Sequence, residues 1–378
     1  MPQVKNPQLK PDQIGQYSAT VVEVGRQAGL HRVGIAPASR MSRAKDSLNS
    51  RKIDSLSDTM EFTFRNPERS ADPSASMRGA RALVVGAYSY AFPAPAKAKP
   101  LEARVARYAW SDYYEQLRNG LDSVAEFLRG DGWRAIVFAD DNSLVDREAA
   151  YLAGLGWYGK NANIMIPGAG SFFVLGSVLT DAPLATNEQL VTDGCGECRR
   201  CISACPTGAI IEPGVVDARK CLAWLLQKPG VFDRRYREVL GDRIYGCDDC
   251  QESCPPTVRY GSRQSQPIDS RPWLSVLSLL TSDDEILLDS VGSWYIAERN
   301  PDWVRRNALI VLGNIGDPQN AEVREVLCAY LEHPDPMLRA HAVWAAARLN
   351  LGHLIPFHDT APLVVDELLH LPESRVQA

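Results

Sequence analysis

Histidine is absent from residues 32 to 332; the six histidines are His31, His333, His341, His353, His358 and His370. An active site built within that stretch works without a local imidazole. That argues against a Ser-His-Asp triad and against a His-rich zinc site there. Long apolar runs are missing too. No stretch of about 18 apolar residues free of charge occurs, so no transmembrane helix is expected. The opening residues, MPQVKNPQLKPDQ, carry neither an apolar h-region nor a twin-arginine pair. No secretory signal is read there, and a cytoplasmic chain with no membrane partner is expected. Positive charge is not in excess: 41 Lys and Arg stand against 46 Asp and Glu, a net charge of −5. That excludes a generally basic nucleic-acid coat and leaves only a local basic face. Cysteine is scarce outside one segment, because only Cys328 lies beyond the span Cys195 to Cys254 that holds the other eight. In a reducing compartment such clustering favours metal over disulfides.

A chain of 378 residues has room for two or three domains of roughly 100–200 residues. Residues 15–30 and 112–129 carry apolar positions at helical spacing. The runs Arg32–Pro37, Arg81–Tyr88, Trp133–Ala139 and Ser171–Thr180 read as buried strands. Strands alternating with helices predict an α/β domain over residues 1–190. The Ala- and Pro-rich stretch Tyr90–Pro100 predicts a surface loop. Ser143 and Asp146 read as a capping box opening a helix through about Leu152, ended by Gly154 or Gly156. Asp140 then follows a strand and precedes a helix. In open α/β sheets ligands bind at that edge; a turn residue is the other reading of Asp140. Gly154-Leu-Gly-Trp-Tyr-Gly159 fits G-x-G-x-x-G, but it follows a helical stretch, and helix-stop glycines explain it better than a dinucleotide fingerprint.

Residues 263–378 contain a repeat. Val304, Arg305, Ala308, Leu309 and Ile315 correspond to Leu338, Arg339, Ala342, Val343 and Leu349 at an offset of 34 residues. Asp317-Pro and Asp335-Pro fall in the expected interhelical turns. The pattern is that of HEAT-type helical repeats. Two repeats alone expose apolar faces, so they should pack on the rest of the chain. Cys328 falls in a helical stretch and is expected to be a core residue.

The cysteines carry the most specific signal. Cys195-Gly-Glu-Cys198-Arg-Arg-Cys201-Ile-Ser-Ala-Cys205-Pro is C-x2-C-x2-C-x3-C-P, the bacterial two-cluster ferredoxin run. A second group, Cys247-Asp-Asp-Cys250-Gln-Glu-Ser-Cys254-Pro, lacks a first ligand, which Cys221 can supply across an insertion. The crossing rule assigns Cys195, Cys198, Cys201 and Cys254 to one [4Fe–4S] cluster. It assigns Cys205, Cys221, Cys247 and Cys250 to the other, within a ferredoxin-like domain over residues 191–262. Zinc prefers C-x2-C pairs separated by a longer loop, so the tight triple and the two Cys-Pro endings favour clusters. Two clusters carry one electron at a time and need a terminus, for which the preceding α/β domain is the natural place.

The order of motifs closely resembles the epoxyqueuosine reductases. The carrying residues are Asp140, Asp146-Arg147, Ala153-Gly-Leu-Gly-Trp-Tyr-Gly-Lys-Asn161, Gly170-Ser-Phe-Phe-Val-Leu175, the ferredoxin motifs and Arg243-Ile-Tyr-Gly-Cys-Asp-Asp-Cys250, and the resemblance covers nearly the whole chain. It implies a nitroreductase-like α/β domain that binds cobalamin, related to that of reductive dehalogenases, plus two [4Fe–4S] clusters and a HEAT-like tail. The implied reaction is the last step of queuosine synthesis, in which an epoxide on the wobble base of tRNA becomes an alkene with loss of water. The implied partners are the anticodon stem-loop of tRNA carrying epoxyqueuosine and a low-potential electron donor of unknown identity. The histidine-bearing cobalamin motif D-x-H-x-x-G is absent, in agreement with base-off cobalamin. By resemblance Asp140 is the proton donor, with adjacent Asp141 as the alternative. Arg69, Ala106, Asn161, Ile164 and Leu175 match cobalamin-contact positions, and Gln227 and Asp248 are placed where cofactor and cluster domain meet. The family often reads Tyr-Ala-x-Gly-x-Asp-Tyr-His where this chain has Tyr108-Ala-Trp-Ser-Asp-Tyr-Tyr-Glu115, so a role for that last position is in doubt.

Arg199, Arg200, Arg234, Arg235, Arg237, Arg305, Arg306 and Arg339 are candidate phosphate contacts, with solvated surface charge as the plainer reading. Two other functions share the motifs. A reductive dehalogenase would use the same cofactors, and a plain iron–sulfur electron carrier would use the clusters alone.

Overall fold

The computed structural model describes residues 9–187 and 189–375. The chain divides into two compact units, each assembled from separated segments. The first comprises the described residues up to Pro93, Asp112–Arg219 and Asp249–Gln266. The second comprises Ala94–Ser111, Lys220–Asp248 and the described residues from Pro267 onward. Among the described residues no helix is long and apolar enough to cross a membrane.

The first unit is built on a four-stranded sheet. In chain order its strands are β1 (Arg32–Pro37), β2 (Ala82–Ser89), β3 (Ala135–Ala139) and the long Phe173–Thr180, with the short hairpin strands β4 (Trp157–Tyr158) and β5 (Ile164–Met165) between, so the long strand is β6. The order across the sheet is β1-β2-β6-β3 and every pairing is antiparallel. The alternation of helix and strand along the chain suggests parallel βαβ units, and the pairing departs from it. The carboxyl-edge rule for parallel sheets therefore does not place Asp140. β2 is buried at every position except Tyr88, because the sheet is covered on both faces, which is why its sequence is a continuous apolar run and not an alternating one. Five helices matter for the site: α1 (Pro11–Gln27), α2 (Ser42–Ile53), α3 (Pro67–Ser70), α4 (Tyr113–Gly130) and α5 (Asp146–Leu152). In α4 the Asp112 carboxylate caps the backbone N–H of Glu115 at 2.9 Å. Leu117, Leu121, Val124 and Leu128 follow at helical spacing and are fully buried, each worth roughly 1.5–3 kcal/mol of transfer free energy. Beside the sheet, Leu83, Val85, Phe138, Leu144, Ala149 and Leu179 belong to one core cluster.

Helix α5 starts later than the capping-box reading expects. Its N-cap is Val145, with no side-chain cap. Ser143 is not a cap because the Asp141 carboxylate accepts its backbone N–H at 2.7 Å, closing an Asx turn ahead of the helix. The stop is at Gly154: Gly154 N–H bonds Tyr151 O at 3.0 Å and Leu155 N–H bonds Ala150 O at 3.0 Å. This is a Schellman arrangement, and Gly154 holds the φ of +69° it requires. Gly156 and Gly159 flank β4, so the glycine run is a helix stop and a hairpin. The Tyr90–Pro100 stretch is less superficial than expected, since Tyr90 and Ala91 are buried and the Tyr90 ring lies 5.3 Å from that of Phe172.

The second unit contains a three-stranded sheet in which Glu102–Val105 pairs parallel with Arg243–Tyr245 and antiparallel with Trp273–Ser275. Its helices include α6 (Asp302–Ile315), α7 (Ala321–Leu331) and α8 (Pro336–Arg348). Residues Asp317 and Asp335 lie in the connections, and Asp335 caps α8 through Met337 N–H at 2.7 Å. Cys328 is exposed, contrary to expectation. The apolar stripe of α7 is Val323, Val326, Leu327, Tyr330 and Leu331, and Cys328 falls beside it on the solvent face.

Several candidate arginines are structural. Arg306 is 1% exposed and donates to the carbonyls of Lys228, Gly230, Leu225 and Leu226 and to Asn307 Oδ1. Arg237 is fully buried against Glu367 at 3.0 Å. Arg305 is buried and pairs with Asp284 at 2.6 Å and Asp302 at 3.1 Å. Arg339 pairs with Asp359 at 2.6 Å, Arg234 with Asp366 and Glu367, and Arg235 with Asp233 at 2.5 Å. None of Arg237, Arg305 and Arg306 is free to meet a phosphate. Arg199 and Arg200 are exposed.

Candidate functional site

Asp140 follows the last residue of β3 and holds a φ of +55°, a left-handed conformation that Asp tolerates better than most residues. Its side chain reaches solvent. Enough protein surrounds the carboxyl that partial desolvation raises its pKa above the usual carboxylate range; Arg118 opposes the rise, and Asp112 and Asp141 add to it. The Asp141 carboxylate is committed to its turn with Ser143, which leaves Asp140 as the freer acid of the pair. The loop is tied down from α3, whose Ser70 hydroxyl donates to Asn142 O at 2.5 Å. Arg69 is exposed on α3 beside that tie, with its backbone N–H on Asn66 Oδ1 at 3.2 Å.

Two half-buried groups interact electrostatically with Asp140, and the sequence does not mark either as its titratable partner. Asp146, at the start of α5, has its pKa pushed well up by burial first and by the charge of Asp140 next, and its Oδ1 has no hydrogen-bond partner. The Tyr114 phenol is also driven upward by burial and then by Asp140 and Asp146. The chain signature of Asp146 is that of a helix-opening residue; its burial comes from non-local packing.

Asn161 and Ile164 lie on the β4–β5 hairpin, and both are buried. Asn161 Oδ1 accepts the Asn163 N–H at 3.3 Å, and Ile164 pairs with Tyr158. Leu175 is half-buried on β6, opposite Ala87 of β2. The first unit thus presents a carboxyl, an amide and aliphatic surface. Its single histidine, His31, lies on β1's approach and is engaged there, with Nδ1 accepting the Ser89 N–H at 3.2 Å.

The second unit gathers the other three candidates around Tyr108. Ala106 is buried and donates its N–H to Tyr245 O at 2.9 Å. Asp248 is buried, accepts the Arg107 N–H at 2.6 Å and pairs with the Arg107 guanidinium at 3.7 Å. Gln227 Nε2 donates to the Tyr108 hydroxyl at 3.1 Å. Burial, then the nearby Tyr245, raises the Tyr108 phenol well above its ordinary value.

No disulfide joins any of the nine cysteines. Cys195, Cys198, Cys201 and Cys254, the first predicted ligand set, lie close enough to sense one another. Burial, with the charges of Cys195 and Cys254, raises the Cys201 thiol. Burial likewise raises Cys254, with Cys195 and Cys198 contributing. Further donors reach the sulfurs: Trp157 Nε1 donates to Cys195 Sγ at 3.4 Å, and Ala209 N–H to Cys205 Sγ at 3.2 Å. An all-thiol set with N–H donors on its sulfurs fits a [4Fe–4S] site. Of the second set, Cys205 follows the helix Arg200–Ala204, Cys250 sits in the helix Asp249–Glu252, Cys221 stands just ahead of the helix Leu222–Leu225, and Cys247 follows the strand Arg243–Tyr245.

Comparisons with known proteins agree with this arrangement. Residues 194–257 match the 4Fe–4S double cluster binding domain, residues 294–378 match HEAT repeats, and residues 70–141 match the model described as epoxyqueuosine reductase QueG, DUF1730. The chain is 31% identical over 361 residues to epoxyqueuosine reductase of Bacillus anthracis, covering 91% of this chain and 90% of that one. It is 31% identical over 355 residues to that of Escherichia coli, covering 90% and 91%. It superposes with a TM-score of 0.83 and 25% identity on an epoxyqueuosine reductase crystallised with an epoxyqueuosine-modified tRNA-Tyr stem loop, covering 93% of this chain and 97% of that one. A second structure, from Bacillus subtilis with its aspartate catalytic loop swung out of the active site, gives a TM-score of 0.80 at 26% identity, covering 94% and 93%. With its sequence, its cluster motif and its fold in accord over about nine-tenths of its length, the chain belongs to the epoxyqueuosine reductase family.

Proposed function

We propose that this protein reduces epoxyqueuosine to queuosine at the wobble position of tRNA, the final step of queuosine synthesis. The observation that carries the reading is an exposed acid with a raised pKa, Asp140, on a tethered loop in the same unit as a ferredoxin-type thiol set. Two electrons and two protons convert an epoxide to an alkene and water. When bound, base-off cobalamin supplies the reducing centre for the substrate, and two [4Fe–4S] clusters supply its electrons singly from a low-potential donor.

The chain's own residues hold the proton and the surroundings. Partial desolvation raises the pKa of the Asp140 carboxyl, and in its protonated form it donates that proton to the departing oxygen. Arg118 opposes that rise. Burial pushes the pKa of Asp146 well up, which disfavours a second negative charge beside Asp140. By the family resemblance, Arg69, Ala106, Asn161, Ile164, Leu175, Gln227 and Asp248 are the proposed cobalamin contacts. They include amides and aliphatic side chains and no imidazole, which would suit a macrocycle bearing amide side chains. Cys195, Cys198, Cys201 and Cys254 would hold one cluster, and Cys205, Cys221, Cys247 and Cys250 the other. The anticodon stem-loop is the proposed RNA partner, its unstacked base entering beside Asp140.

Membership of this family does not favour the dehalogenase or the plain electron carrier. The test is anaerobic incubation of cluster-loaded protein with epoxyqueuosine-bearing tRNA and a strong reductant, with and without cobalamin. Queuosine formed only with cobalamin supports the reading. Queuosine formed equally without it removes cobalamin from the account.

A further inference from the structure

The β4–β5 hairpin is fastened to the loop that begins the ferredoxin motif. Trp157 donates from its indole Nε1 to Cys195 Sγ at 3.4 Å. Its ring packs closely against the chain just ahead: a Cβ at Gly194 would stand 2.8 Å from Trp157 Cζ2. At the hairpin turn Lys160 Nζ donates to the carbonyl of Gly196, and Lys160 O accepts the Gly214 N–H at 2.9 Å. The hairpin is thus tied on both sides of Cys195, by the Trp157 ring at Gly194 and by Lys160 at Gly196, and the only polar atom of the indole is spent on the sulfur. The packing of a tryptophan ring does not require such a bond, since the indole N–H could have faced solvent or a carbonyl.

We infer that Trp157 is a positioning residue that sets the reduction potential of the cluster ligated by Cys195. The inference rests on the proposed ligand role of Cys195. One electron from an external low-potential reductant enters the cluster, and no bond to Trp157 forms or breaks. The added electron increases negative charge on the ligating sulfurs. A fixed N–H donor favours that more negative state, so it raises the potential.

Trp157→Phe removes the donor and keeps a ring over Gly194. The experiment is an anaerobic redox titration of the cluster-loaded chain, followed by electron paramagnetic resonance, with iron content measured alongside. The wild-type chain is also labelled with 15N at the indole nitrogen, so that pulsed resonance on the reduced protein identifies the cluster coupled to Trp157. The expected result is an unchanged iron content and a more negative potential for that cluster alone. The shift should approach tenfold in its redox equilibrium, which for one electron is about 59 mV. An unmoved potential, or an equal shift of both clusters, overturns the inference. If the variant assembles no clusters, the labelled wild type decides: an indole-15N coupling supports the bond and its absence overturns it. A wild-type chain that binds no iron at all overturns the cluster reading itself, and the inference with it.

Discussion

Arg118 donates from Nη2 to the carbonyl oxygen of Ala139 at 3.1 Å, one residue before Asp140. The contact holds a positive charge beside the proposed acid and anchors the end of β3 to α4. Removing the charge while keeping the stem, as in Arg118→Met, leaves desolvation and the neighbouring carboxylates of Asp112 and Asp141 unopposed. The pKa of Asp140 then rises further. Because the protonated form is the active one, activity falls as pH rises through that pKa. The alkaline limb of the pH–rate profile of Arg118→Met should therefore lie at higher pH than that of wild type. A limb that stays in place would separate Arg118 from the acid.

Cys221 is the ligand reached only across an insertion of 25 residues before Cys247, and it stands just ahead of a short helix. If it holds the second cluster, Cys221→Ser should lose roughly half of the bound iron, since one of two equal clusters is lost. Iron analysis after anaerobic reconstitution measures this. Full iron content in the variant would remove Cys221 from the ligand set. Cys328→Ser, on the solvent face of α7, serves as the control and should change neither iron content nor stability beyond about 0.5 kcal/mol.

The arginines divide by burial. Arg199 and Arg200 are exposed on the ferredoxin run, so charge reversal at both should weaken stem-loop binding. It should also reduce the salt dependence of the affinity by roughly one unit of log–log slope for each lost phosphate contact. Arg306→Met acts differently. It strips the carbonyls of Lys228, Gly230, Leu225 and Leu226 of a shared buried donor and should destabilise the second unit by roughly 3 kcal/mol. Titrations over a salt series and a denaturation curve distinguish the two effects. A salt slope unchanged by the Arg199 and Arg200 reversals would place the RNA elsewhere.

Much of this was legible in the chain. β1 spans Arg32–Pro37 as read, because a short apolar run bounded by turn residues has few other states. The cysteine spacing carried the cluster chemistry, since ligation geometry is local. What was not legible is what depends on distant partners. The antiparallel pairing of β2 with β6 joins residues about 90 positions apart, and local alternation of helix and strand does not encode it. Asp141 took the Ser143 N–H and displaced the expected cap, a competition between two local bonds that the residue types leave open. Arg237 and Arg306 looked like surface charge until Glu367 and a set of carbonyls closed around them. Trp157 carried no signal at all, because its partner Cys195 lies 38 residues away on another element.

The most direct test of the account is single-turnover reduction of epoxyqueuosine-bearing tRNA by Asp140→Asn beside wild type. Both proteins should carry full clusters and cobalamin, and the nucleosides are identified by mass spectrometry. Wild type should form queuosine, and the variant should be slower by about 10²–10⁴-fold, the range for losing a positioned general acid. Equal rates would contradict the role of Asp140, and no queuosine from the fully loaded wild type would contradict the proposed reaction.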